Sequence, residues 1–167
     1  MSRYPELAAK VDAFFDRVVT RHGEDMRCGT GCSHCCHTRL SITSVEGDAI
    51  RDEIATWPAE RKAALVQNVA AARPDQCAAL DPQGRCLIYQ VRPIVCRSHG
   101  APIRMHQPGS LPVVASCPDN FTARGPAAAD PDCILDQTTL SAMTLAVDRE
   151  AGGDGTRFDL AALLADC

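Results

Sequence analysis

Aromatic side chains are scarce in this sequence: one Trp, two Tyr and four Phe make up 4% of its 167 residues. The apolar remainder is mostly Ala, Val and Leu. A core built from these is thin for the chain's length, and extra cross-linking would help it. No apolar run approaches the ~18 residues of a membrane-spanning helix. The opening segment, MSRYPELAAKVDAFFDRVV, carries charge throughout and lacks the short unbroken apolar stretch of a secretory signal. The expected location is therefore the cytoplasm, with no membrane partner. A basic excess is also missing. Lys and Arg number 17 against 21 Asp and Glu, a net charge of −4, which argues against a general nucleic-acid binder. No Lys-Ser or Lys-Thr follows the glycines of GTG or GGDG, so neither is a phosphate loop.

Cysteine is plentiful, with ten in the chain. In a reducing cytoplasm they do not read as five disulfides. Cys133 and Cys167 stand alone and fit a reading as small buried apolar residues. The other eight fall in three blocks: Cys28, Cys32, Cys35 and Cys36; Cys77, Cys86 and Cys96; and Cys117.

The pattern around them predicts a single domain, 1–167, that is mainly α. Apolar residues at three- and four-residue spacing predict a helix over 4–22 that stops at Gly23. Thr43 and Glu46 have capping-box spacing ahead of a second helix, and Pro58 is placed to open a third. Helices are expected again from about Pro131 to Arg149 and from about Phe158 to Leu164. The segment CLIYQVRPIVCR suits a short strand or a short helix, and LPVVAS reads as extended. The flanks, 1–27 and 130–167, are thus helical, around a cysteine-cluster motif region, 28–118, with long irregular stretches. So much irregular chain in a compact domain needs something to organise it, and the cysteines lie in that part.

Short gaps in a Gly-rich loop let several sulfurs converge on one ion. Thiolates are soft ligands and narrow the choice to zinc, an iron–sulfur cluster or Cu(I). Eight thiolates suffice for two four-cysteine sites, one larger cluster, or a closed site beside an open one. Arg27, Arg39, Arg85, Arg92 and Arg97 lie near the cysteines and are candidates to balance thiolate charge. His34, His37, His99 and His106 are surplus to eight thiolates, His99 being the best placed as an extra ligand. Tyr89 is expected to pack with a bonded hydroxyl, and the DPDC run to start a helix with Asp caps. CGTGCSHC has the cysteine spacing of radical S-adenosylmethionine enzymes, but the roughly 130 residues after it show no run of strands to build their barrel.

The blocks CGTGCSHCC and CAALDPQGRCLIYQVRPIVCR, followed by CP at 117–118, resemble the CxxCxxCC family of cysteine-cluster proteins, described as zinc- or iron-chelating. The resemblance implies metal held by Cys28, Cys32, Cys35, Cys36, Cys77, Cys86, Cys96 and Cys117, without saying which metal. Three roles are then expected. The metal is structural, in an adaptor or metal-handling protein whose partner is another protein. Or an iron–sulfur cluster serves redox chemistry or sensing. Or an open metal site modifies another protein.

Overall fold

The computed structural model describes residues 2–29 and 31–167. About half of these are helical and the strands are short, so the architecture is mainly α. Among the described residues no helix is long and apolar enough to cross a membrane.

Helix α1 (Tyr4–His22) has the predicted bounds and gives way at Gly23. Its stripe of Leu7, Val11, Phe14 and Val18 is buried. Strand β1 (Ser41–Ile42) leads into α2 (Ser44–Ala55) through the predicted capping box. The Glu46 carboxylate accepts the Thr43 N–H at 2.9 Å and the Thr43 hydroxyl at 3.0 Å. Pro58 caps α3 (Ala59–Ala71). The ambiguous segment becomes a 3-10 turn, Tyr89–Val91, and then α4 (Ile94–Ser98), with Pro93 between them. Strands β2 (Ile103–Met105) and β3 (Val113–Ala115) pair antiparallel, so LPVVAS is extended as expected.

The DPDC run does not begin a long helix. Pro131–Cys133 is a 3-10 turn, and the chain then extends as β4 (Leu135–Asp136), parallel to β2. Leu135 donates its N–H to the Pro102 carbonyl at 2.9 Å, which draws this segment into the sheet. Helix α5 (Gln137–Glu150) starts only beyond it. Its cap is Asp136, which accepts the Thr139 N–H at 2.9 Å. Strand β5 (Phe158–Asp159) pairs antiparallel with β1. The last helix, α6 (Leu160–Ala165), begins after Asp159, whose carboxylate accepts the Ala161 N–H at 2.8 Å.

The described residues cluster into two compact units. One is drawn from Met1–Tyr4, Thr30–Pro93 and Val147–Cys167, the other from Pro5–Gly29 and Ile94–Ala146. The core of the first holds Ile42, Ile50, Ile54, Leu65, Ile88 and Leu164. That of the second holds Phe14, Val18, Met26, Ala101, Phe121 and Cys133. Cys133 is fully buried, in keeping with its expected role as a small apolar residue.

A buried carboxylate supports the first unit. Asp148 has no exposed surface and accepts the N–H of Val45 at 2.9 Å and of Gly155 at 3.0 Å. Val45 lies in the first turn of α2, where backbone N–H groups have no helical partner. A Cβ on Gly153 would collide with this carboxylate, which accounts for the glycine there. Asp148→Ala leaves two N–H groups without partners. We expect a loss of about 2–4 kcal/mol in urea unfolding.

Candidate metal centre

Four of the eight block cysteines are drawn together in the first unit by backbone hydrogen bonds. Between Cys77 and Cys86 the chain makes a tight turn around Asp81. This carboxylate accepts the N–H of Gln83 at 2.9 Å and of Arg85 at 2.7 Å, and Arg85 Nε at 2.9 Å. Gly84 takes the left-handed conformation the turn requires, at φ +76°. Leu80 bridges to Cys86, and Leu87 donates to the Ala79 carbonyl at 2.8 Å, so the two arms return side by side. Asn68 on α3 donates to the carbonyls of Ala78 and Leu80 at 2.8 and 3.0 Å and fixes the turn to the helix. The other pair comes from the first block. Cys77 donates its N–H to the Cys36 carbonyl at 2.7 Å, so the 3-10 turn His34–Cys36 is bound to the Cys77 arm.

Cys36, Cys77 and Cys86 each feel the charge of neighbouring thiols. The hydrogen bond with Cys35 raises the Cys36 thiol most. Burial and negative charge on Cys35, Cys77 and Cys86 act in the same direction. Burial also raises Cys77, opposed by the backbone N–H groups of Ala79 and Leu80. Cys86 is pushed by burial from 9.0 up to about 11, opposed by the N–H of Ile88 and by the Arg92 guanidinium. Backbone N–H groups are thus directed at sulfur while the sulfurs repel one another's charge. Such a set ionises fully only when a cation balances it. Thiols of this kind have the soft-donor chemistry that suits a thiolate-bound metal.

The shifts set a pH window for the metal-free chain. A thiol raised on folding contributes stability that is intact below its unfolded value and lost as pH rises through its folded value. For Cys86 that window runs from 9.0 to about 11. The melting temperature of the metal-free chain should fall across it, while the metal-loaded chain, already deprotonated, should not show the same fall. Equal slopes in thermal melts of the two forms would contradict this reading.

The remaining block cysteines are placed differently. Cys32 belongs to the first unit and is exposed. Cys28, Cys96 and Cys117 belong to the second, with Cys117 buried and Cys28 and Cys96 half-buried. Of the five arginines near the blocks, Arg92 acts on Cys86. Arg39 pairs with Asp159, Arg85 with Asp81, and the buried Arg97 with Asp12. The Arg27 guanidinium donates to the carbonyls of Glu24 and Met26. Tyr89 is not packed as expected. It is 56% exposed, with the Arg92 guanidinium 4.1 Å from its ring centre. Ile88 takes the buried place of that turn instead. His106 pairs with Asp136 at 2.7 Å, His37 contacts the Ser33 hydroxyl at 3.4 Å, and His99 is exposed.

Sequence reasoning missed one further grouping. His22, Asp130 and Cys133 bring their ligand atoms within 4.8 Å of one another. Arg124 donates to His22 Nδ1 at 2.8 Å, and Arg21 lies 3.5 Å from Asp130 and 2.7 Å from Asp132. Two guanidinium groups already supply the positive charge there, so the grouping works as a polar clasp rather than a cation site.

Residues 27–113 match the model of the family CxxCxxCC, described as "Putative zinc- or iron-chelating domain". This is just over half the chain and includes seven of the eight block cysteines, with Cys117 outside it. No curated protein and no solved structure matches the chain. The ordered cysteine blocks, the clustered thiols and the family match agree: the chain belongs to the CxxCxxCC family of zinc- or iron-chelating domains.

Proposed function

We propose that this chain is a metal-holding protein in which Cys35, Cys36, Cys77 and Cys86 form a closed four-thiolate site. The observation that carries this reading is that the Cys77 N–H binds the Cys36 carbonyl, which draws the first block to the Cys77–Cys86 turn, where backbone N–H groups of Ala79, Leu80 and Ile88 act on the Cys77 and Cys86 sulfurs. Four protein ligands complete a tetrahedron and leave no place for water or substrate, as in structural zinc sites. The bound metal then fixes the irregular cysteine-bearing stretches on either side of α2 and α3. Cys28, Cys32, Cys96 and Cys117 would supply further thiolate ligands. The role is structural or metal-handling, with another protein as the partner.

Anaerobic purification followed by elemental analysis and absorption spectroscopy tests the reading. A colourless protein with zinc bound in whole-number ratio supports it. A brown protein absorbing near ~400 nm replaces zinc with an iron–sulfur cluster on the same thiolates. A chain that carries no zinc and no iron overturns it.

A further inference from the structure

Asn120 has no place in the cysteine pattern, yet its side chain donates to a block cysteine of the second unit, Cys28. It is buried, 3% exposed. Its Oδ1 accepts the Arg27 backbone N–H at 2.7 Å, and its Nδ2 donates to the Gly100 carbonyl at 2.8 Å. A backbone N–H only donates and a carbonyl only accepts, so these two bonds fix which way the amide faces. The second amide proton is left for Cys28, whose Sγ lies 3.2 Å from Nδ2. Cys28 is therefore held as an acceptor. Neutral thiols accept hydrogen bonds weakly, whereas a thiolate or a metal-bound sulfur accepts them well.

The surroundings are shaped for the same purpose. Gly100 has φ +96°, and a Cβ there would stand 2.5 Å from Cys28 Sγ and 3.2 Å from Asn120 Nδ2. The sulfur and the amide occupy the space a side chain would take. Cys28 also packs against the apolar core of this unit, as does Phe15. A donor aimed at one sulfur in an otherwise apolar place stabilises negative charge on that sulfur.

We infer that Asn120 is a positioning residue for a metal-bound thiolate at Cys28: it donates one amide proton to the sulfur and uses its other two bonds to hold the Arg27 and Gly100 backbones around it. The inference rests on the metal-holding reading and extends it to a residue outside the cysteine pattern. Partners of this kind orient ligands and tune their basicity, and their loss weakens metal affinity by about 10–100-fold.

A double-mutant cycle on the full chain tests it, with zinc(II) affinity read by chelator competition and cobalt(II) absorption read for thiolate-to-metal charge transfer. Asn120→Asp keeps the size and the acceptor for Arg27, removes both donors and places negative charge beside the sulfur. Asn120→Leu removes the donors without adding charge and keeps the cycle measurable if the first variant folds poorly. In the native background either variant should weaken zinc binding about 10–100-fold and weaken the charge-transfer band. In a Cys28→Ser background the same changes should cost little more, because the sulfur they serve is gone. Equal losses in both backgrounds would show that Asn120 only ties the backbone together, and would overturn the inference while leaving the metal-holding reading intact. A native chain that binds neither ion overturns both.

Discussion

Replacing Cys77 with serine is expected to remove about one metal ion per chain and to lower the melting temperature of the protein as purified. Cys77 is the best anchored of the four clustered thiols. It is 6% exposed, its N–H is bonded to the Cys36 carbonyl, and the N–H groups of Ala79 and Leu80 act on its sulfur. Serine fits the same space, but its hydroxyl ionises far less readily than a thiol and is a harder, poorer ligand for zinc. Isolated structural zinc sites supply about 10 kcal/mol or more of folding free energy, and loss of one ligand in four forfeits much of that. The metal-free variant, by contrast, should differ from the metal-free parent by only about 1–2 kcal/mol. The comparison of loaded with metal-free protein is what identifies the cause. A Cys77→Ser variant that keeps its full metal content and its melting temperature would remove Cys77 from the site. Cys133→Ser and Cys167→Ser are the matching controls and should retain all bound metal.

Gly100→Ala should be nearly as damaging, for a different reason. The residue lies in the left-handed region, where an L side chain costs about 1–3 kcal/mol, and its new methyl would stand 2.5 Å from the Cys28 sulfur. Either the sulfur or the backbone must move. We expect a combined loss of about 2–5 kcal/mol in chemical denaturation, accompanied by a loss of bound metal on the proposal that Cys28 is a ligand. Gly109→Ala gives a fair comparison. It has a similar φ of +77°, but a Cβ there would meet nothing within 4 Å. It should pay the conformational cost and keep its metal. Equal metal loss in the two variants would mean that strain alone, and not the collision with Cys28, is responsible.

What the sequence made legible was local. Helix α1 was readable from Tyr4, Leu7, Val11 and Val18 because a 3.6-residue period in side-chain character survives in any tertiary context. The start of α2 was readable because Thr43 and Glu46 satisfy each other's backbone within four residues. The cysteine blocks stood out because thiols two and three residues apart in a Gly-rich loop are placed to converge on one ion. The parts that were not legible depend on partners far apart in sequence. The partition that groups Cys35 and Cys36 with Cys77 and Cys86 rests on one backbone bond, from the Cys77 N–H to the Cys36 carbonyl, and no residue type encodes it. The run from Pro131 to Asp136 carries helix-start residues, but parallel pairing with Ile103 and Arg104 overrides them. Asp148 and Asn120 are single polar residues whose meaning comes from the distant N–H groups and sulfur they meet. Tyr89 misled because an aromatic beside buried apolar residues is usually packed. In a three-residue turn only one side takes the core, and Ile88 takes it.

X-ray absorption at the metal edge of the anaerobically purified chain is the most direct test of the central claim. The claim predicts a sulfur-dominated first shell, with about four sulfurs at about 2.3 Å for zinc, reduced in the Cys77→Ser variant. A shell of nitrogen and oxygen at shorter distance, unchanged by that substitution, would contradict it.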